Sequence, residues 1–231
     1  MSEQFEEVTT LDMYRSIYRY RGFLYSVKHF FNSHLFDILN GTDTHIIVPC
    51  SDFNTQPDNF VHGKEYQASW SKELSRSFKA AKAILGPDFK DYSFIDLGCG
   101  KGKAVLLWKQ LCRKFNIQQN IIGIDYYGPF IEAANLNHDK IFGGTGPFFE
   151  RDACDFDYEK YRDGIIIYLF NPFDLPVLES VLIKIRKIKH IIVYGYPVHK
   201  ELLLRCGYDC LYSHDGAFNI EKTMIFARNR I

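Results

Sequence analysis

Four polar positions carry the chemistry that the sequence can express. The first is Asp96, in the run Phe94-Ile95-Asp96-Leu97-Gly98-Cys99-Gly100-Lys101-Gly102-Lys103. Three glycines alternate here, directly after a short apolar stretch and directly before an amphipathic one. Glycine serves where the backbone needs positive φ or must lie against a ligand with no side chain between. A bare turn would not need three. The second position is Asp125, 23 residues after Gly102. A carboxylate there can accept two hydroxyl protons at once, as a ribose would offer them. The third is Asp152, followed by Ala153, with Asp155 and Asp157 as close competitors. The fourth is Asn171-Pro172-Phe173, where an amide oxygen, a backbone carbonyl and an aromatic ring fall together.

These positions need a scaffold, and the pattern around them supplies one. Residues 93–97 read as a buried strand, and Ala104, Leu107, Trp108, Leu111 and Phe115 mark one face of the helix that follows. Strand, glycine turn and helix put free N–H groups at a helix N-terminus beside the carboxyl end of a strand. Open α/β sheets bind nucleotide-like ligands there. Strands are expected at 120–126, 148–152, 164–170 and 190–196, with helices at about 130–136, 176–188 and 198–204 between them. Two last strands, 208–213 and 223–228, should pair as a hairpin. The alternation predicts a doubly wound α/β fold with a mostly parallel, seven-stranded sheet and an antiparallel edge strand. Upstream, Trp70, Leu74, Phe78, Ala81 and Leu85 form one helical stripe that Gly86-Pro87 stops.

The glycine turn discriminates between ligands. A dinucleotide fingerprint G-x-G-x-x-G would put its third glycine at Lys103. Instead the stretch reads D-x-G-x-G-x-G, and an acid at Asp96 would be a poor neighbour for a pyrophosphate. It resembles motif I of class I S-adenosylmethionine (SAM) methyltransferases, whose acid lies near the cofactor's amino-acid part. The resemblance covers about residues 66–231. It implies SAM as cofactor, held by Asp96, Gly98, Cys99 and Gly100, by Asp125 at the ribose, and by Asp152 and Ala153 at the adenine. Tyr66, at the entrance of the pre-core helix, can close over the methionine part or serve as an aromatic packing anchor. Asn171-Pro172-Phe173 resembles the N/D-P-P-Y/F signature of methyltransferases acting on planar amino groups, with one proline missing. N-P-F at this point is also similar to a group of small bacterial SAM methyltransferases. The resemblance implies that Asn171, Pro172 and Phe173 are the catalytic residues, facing a nitrogen acceptor in a protein side chain, a nucleobase or a small molecule. Other readings stand beside this one: an NAD-dependent Rossmann oxidoreductase, which Asp125 fits equally well, and a non-catalytic SAM-binding module.

Methyl transfer from a sulfonium needs little acid–base machinery, because the leaving group is neutral. Alignment and exclusion of water do most of the work, up to roughly 7–11 kcal/mol. So the lack of a Ser/His/Asp set does not count against an enzyme. Should a base be required, Tyr194, Tyr196 and His199 lie near the end of the strand at 190–196.

The chain has 231 residues, 46% hydrophobic and 24% charged, with a formal net charge of zero. That is enough for one α/β domain with an extension, and it carries no global excess pointing to nucleic acid. Twenty Phe and 15 Tyr fill a core or line an aromatic pocket. Six cysteines form no C-x-x-C pair, which argues against zinc and for a reducing compartment. The acidic start, Met1 to Glu7, has no apolar core of a signal peptide. No run reaches the roughly 18 apolar residues of a membrane span. These features lead to the expectation of a cytoplasmic protein whose partner is the methyl acceptor. Residues 1–65 form a mainly helical extension or lid. Within it, residues 11–39 show helical spacing interrupted at Gly22, and residues 44–48 read as a short strand. Arg15, Arg19, Arg21 and Lys28 give the segment a basic side, either a solvated helix face or a binding surface.

Overall fold

A computed structural model of the chain describes residues 10–53, 59–216 and 219–228. Three helices open it: α1 (Thr10–Arg21), α2 (Phe23–Ser33) and α3 (Leu35–Asn40). Gly22, at φ +79°, makes the break between the first two. Helix α4 (Ser71–Leu85) follows, then β1 (Ser93–Leu97), α5 (Lys103–Lys114), β2 (Ile121–Asp125), α6 (Gly128–Phe142) and β3 (Phe148–Glu150). The rest is β4 (Ile165–Phe170), α7 (Leu175–Ile185), β5 (His190–Gly195), α8 (Lys200–Arg205), β6 (Asp209–His214) and β7 (Thr223–Ala227).

The seven strands form one sheet in the order β3-β2-β1-β4-β5-β7-β6. Pairings from β3 through β5 are parallel, and β7 is antiparallel to both β5 and β6. This is the Rossmann-like plan anticipated from the strand–helix alternation. The strand order reverses between β1 and β4, which opens a crevice at their carboxyl ends.

The central strands are buried on both faces, so they read as continuous apolar runs. In β4, Ile166 and Tyr168 face one core layer, with Phe78 and Trp108 from α4 and α5. Ile165, Ile167 and Leu169 face the other, with Leu178 and Val181 from α7. Trp108 stacks on Phe94 of β1 with ring centroids 4.0 Å apart, fixing α5 against the strand it follows. The expected α5 face needs correction. Val105, Leu106 and Cys112 are buried, whereas Phe115 is exposed, because the helix is covered by α4 as well as by the sheet. Leu136 of α6 is exposed too. The stretch at 44–48 is not a strand: it contributes a single bridge, Val48 to Tyr66. Cys99 and Cys112 are buried free thiols, while Cys210 is exposed.

The N-terminal helices sit on the glycine-turn end of α5. Lys103 Nζ donates to the carbonyls of Asn32 and Ser33, each at 3.2 Å, and so caps the C-terminal end of α2. Lys101 pairs with Asp43 at 2.7 Å. Among the described residues no helix is long and apolar enough to cross a membrane.

Candidate active site

A cleft of about 880 Å³, counting its mouth, lies over the carboxyl ends of β1, β2 and β4. Asp96, Gly98, Cys99, Asp125, Asp152 and Ala153 all line it. The fold therefore gathers residues from 58 positions of sequence into one crevice.

Asp96 is 3% exposed, and among the described residues its carboxylate receives no hydrogen bond. Burial pushes its pKa well above the usual carboxylate range, and the charge of Asp125 adds to the effect. Asp125 is buried too but well served: Oδ2 accepts from Gly100 N at 2.9 Å and Oδ1 from Tyr127 N at 2.9 Å. Burial raises its pKa to about 6, against the pull of the backbone N–H groups of Tyr127, Gly100 and Tyr126. The carboxylate thus staples the glycine turn to the β2–α6 corner, a structural duty that strand-end position alone did not reveal. Asp152 accepts from Cys154 N at 2.7 Å and from Asn59 Nδ2 at 2.7 Å.

The glycines separate into distinct roles. Gly98 has φ +72°, and a Cβ there would run into the Pro172 ring. Gly100 has φ +49°, and a Cβ there would collide with the ring of Tyr66. Gly98 lines the cleft, but Gly100 does not, because Tyr66 covers it. Tyr66 itself stands five residues before α4 rather than at the helix entrance. Its hydroxyl donates to Thr44 O at 2.7 Å, and its ring packs with Phe53, Tyr127 and Phe130.

Residues 59–67 form a strap across the cleft. One side is tied to the β4–α7 connection by Lys64 N donating to Pro172 O at 3.1 Å and Asp174 N donating to His62 O at 2.8 Å. The other side rests on Tyr126, whose hydroxyl lies against Gly63, and on Asp152 through Asn59. A lid was expected from residues 1–65, but its extended course here was not, since its contacts are long-range and mostly backbone.

The Asn171-Pro172-Phe173 trio is split by the structure. Phe173 is buried in the core layer beside α7 and lines the cleft together with Val177. The Pro172 carbonyl already accepts from Lys64. Asn171 instead lines a second hollow of about 830 Å³, on the far side of Phe170, with Glu65, Gln67 and Tyr196. It adopts φ +50°, as does Tyr196 at the end of the neighbouring β5. Its Oδ1 is buried with no partner. A non-glycine residue in the left-handed region carrying an unsatisfied amide oxygen stores strain of the kind found at functional sites. Of the proposed bases, the Tyr194 hydroxyl accepts from His199 N at 3.4 Å and burial raises its pKa to about 12. That makes it unsuited to take a proton near neutrality. No cluster of three or more metal-ligating side chains occurs among the described residues.

Comparison of the sequence with family profiles and with curated proteins finds no match. Solved structures of the same shape do exist. A Pyrococcus horikoshii protein, PH1948, described as a candidate RNA methyltransferase, superposes with TM-score 0.52 at 16% identity, covering 78% of this chain and 92% of its own. Magnesium protoporphyrin IX methyltransferase from Synechocystis PCC 6803, solved with bound SAM, gives 0.48 at 15% identity over 88% of this chain and 95% of its own. The ribosomal protein L11 methylase of Lactobacillus delbrueckii subsp. bulgaricus gives 0.48 at 12% identity, over 68% and 78%. The fold is thus the seven-stranded Rossmann-like fold shared with PH1948.

Proposed function

We propose that the chain is an S-adenosylmethionine-dependent methyltransferase acting on a nitrogen acceptor. The observation that carries the reading is Asp96, a buried acid that no donor among the described residues meets, set in the wall of a cleft beside a glycine turn. Such a group is costly unless a cation or donor comes to meet it. The amino-acid end of SAM offers an ammonium, and its ribose offers two hydroxyls to the lone pairs that Asp125 keeps free. Asp96 and Asp125 would hold those two parts, and Gly98 leaves the wall flat between them. Asp152 and Ala153 lie where the adenine would reach, provided that Asn59 yields its bond to Asp152. Tyr66 would serve by holding the glycine turn rather than by covering the ligand, since its ring already rests on Gly100.

When bound, SAM supplies an electrophilic methyl group on a neutral leaving group. This chain's own part is orientation and dryness. The orphaned Oδ1 of Asn171 would accept an N–H from the acceptor and so turn the nitrogen lone pair toward the cleft. The strap over residues 59–67 excludes water above it. With the Pro172 carbonyl committed to Lys64 and Phe173 committed to the core, the catalytic trio of the sequence reading reduces to Asn171.

The test is calorimetric titration with SAM, S-adenosylhomocysteine and NAD. SAM and its product should bind and NAD should not. Failure of SAM to bind the folded protein would remove the reading. Radiolabelled SAM incubated with cell extract, divided into protein, nucleic-acid and small-molecule fractions, then assigns the acceptor.

A further inference from the structure

We infer that the second hollow, the one lined by Asn171, is a site for a primary alkylammonium group, with Glu65 as its anion. The methyl acceptor is then an aliphatic amine rather than a nucleobase. The chemistry of this inference rests on the methyltransferase reading, whereas the binding rests on the hollow alone. Cleft and hollow share Gly63, Lys64, Glu65, Gln67 and Phe170 in their walls. The two spaces therefore adjoin at the strap and at the end of β4, and a group seated in one stands next to the other.

Charge and ring geometry choose the ligand. Lys64 is bound by the Asp174 carboxylate. Lys222, whose carbonyl receives Tyr196 N, pairs with Asp215 at 3.7 Å. Glu65 is exposed and enters no ion pair or hydrogen bond among the described residues. Its charge is felt inside the hollow: burial raises the pKa of the Cys50 thiol, and Glu65 raises it further against the pull of Lys64. The uncompensated charge in the wall is thus negative. The rings of Phe170 and Tyr196 stand 6.4 Å apart at 57°. A flat base is held between parallel faces, whereas two tilted faces make a corner for a compact cation. Gln67 and Asn171 add amide oxygens for its N–H groups. A nucleic acid would bring phosphates, and with Lys64 engaged the described wall has no free cation to meet them. The transfer balances without a further reactant. The ammonium gives one proton to solvent water, and the freed nitrogen lone pair bonds to the methyl carbon. The sulfur–methyl bond breaks with its electron pair passing to sulfur. A methylammonium, S-adenosylhomocysteine and the released proton result.

The experiment is titration of the full chain with n-butylammonium chloride, butyramide and adenosine, followed by amide NMR shifts, with and without S-adenosylhomocysteine. Butylammonium should shift the amides of the strap and bind at least roughly tenfold more tightly than either neutral probe, less so at high salt. Glu65→Gln, at an exposed position, should keep its melting temperature, weaken butylammonium roughly tenfold and leave butyramide unchanged. Radiolabelled SAM and cell extract then give the source. Label in the protein fraction means a lysine side chain or terminal amine, and label in the small-molecule fraction means a free amine. Acetylating the aliphatic amines of the extract beforehand should abolish either. Absent or equal binding of the three probes overturns the proposal. So does a folded Glu65→Gln protein with wild-type affinity for butylammonium, or label that survives acetylation or enters nucleic acid. Butylammonium bound at the strap by a protein that ignores S-adenosylhomocysteine would keep the amine site and remove the methyltransferase reading, so the two fail separately.

Discussion

Replacing Asp96 with Asn should stabilise the protein and impair its ligand binding together. The folded state holds the Asp96 proton more tightly than the unfolded chain does, because burial and Asp125 raise its pKa. Folding is therefore favoured at low pH, and the advantage is lost as pH rises through the raised value. Asp125 acts in the same sense between 3.8 and about 6, a shift of about two pKa units or roughly 3 kcal/mol. Asn fills the same volume with no charge, and no hydrogen bond to Asp96 is lost. Relief of an unpartnered buried carboxylate is worth about 1–3 kcal/mol. For a chain of this size that is a rise in Tm of about 2–12 °C. The gain should be largest at pH 8.5 and shrink as pH falls below the raised value, where the wild-type carboxyl carries its proton. Affinity for SAM should fall roughly ten- to a hundredfold with loss of a charge-assisted contact of about 1.5–3 kcal/mol. Thermal melts without ligand across that pH range, followed by calorimetry, read both effects. A variant that melts no higher at pH 8.5 and binds SAM within a factor of two of wild type would refute the reasoning on both sides.

Gly100→Val should lower Tm by driving a branched side chain into Tyr66 at φ +49°, and Tyr66→Ala in the same chain should recover part of the loss. A double variant no better than Gly100→Val alone would mean that backbone strain accounts for all of it. Asn171→Gly keeps the left-handed backbone without cost, so Tm should stay near wild type and SAM should bind normally, while kcat falls more than KM rises. Transfer at the wild-type rate would make the Asn-Pro turn purely structural. Asn59→Ala should free one oxygen of Asp152, and SAM should bind more tightly and faster in stopped-flow mixing. A weaker complex would show that Asn59 supports the site rather than competing for it.

Elements were legible where one local rule governed them. The alternation of apolar runs with glycine and proline stops placed every sheet strand within a few residues. The stripe from Leu74 to Leu85 marked α4 with its buried face correct. The face of α5 was misjudged because periodicity assumes one covered side, whereas Trp108 packs on both Phe78 of α4 and Phe94 of β1, and Val105 and Leu106 are buried with it. Gathering of Asp96, Asp125 and Asp152 in one cleft followed from their places at strand ends. What those carboxylates bond to did not, because Gly100, Tyr127 and Asn59 reach them only through the folded backbone. The trio at 171–173 looked like one unit in sequence, yet positive φ at Asn171 turns it away from Phe173.

The strap over residues 59–67 has a consequence for time rather than for affinity. It is tied on both margins of the cleft, by backbone bonds to Pro172 and Asp174 on one side and by contacts with Asp152 and Tyr126 on the other. Anything held beneath it leaves only as often as those ties open together. A dissociation constant would be unaffected if the strap slowed arrival and departure alike, but turnover would not be. Release of the spent cofactor would then set the pace of the whole cycle, and a burst of one methyl transfer per protein molecule would precede a slower steady rate.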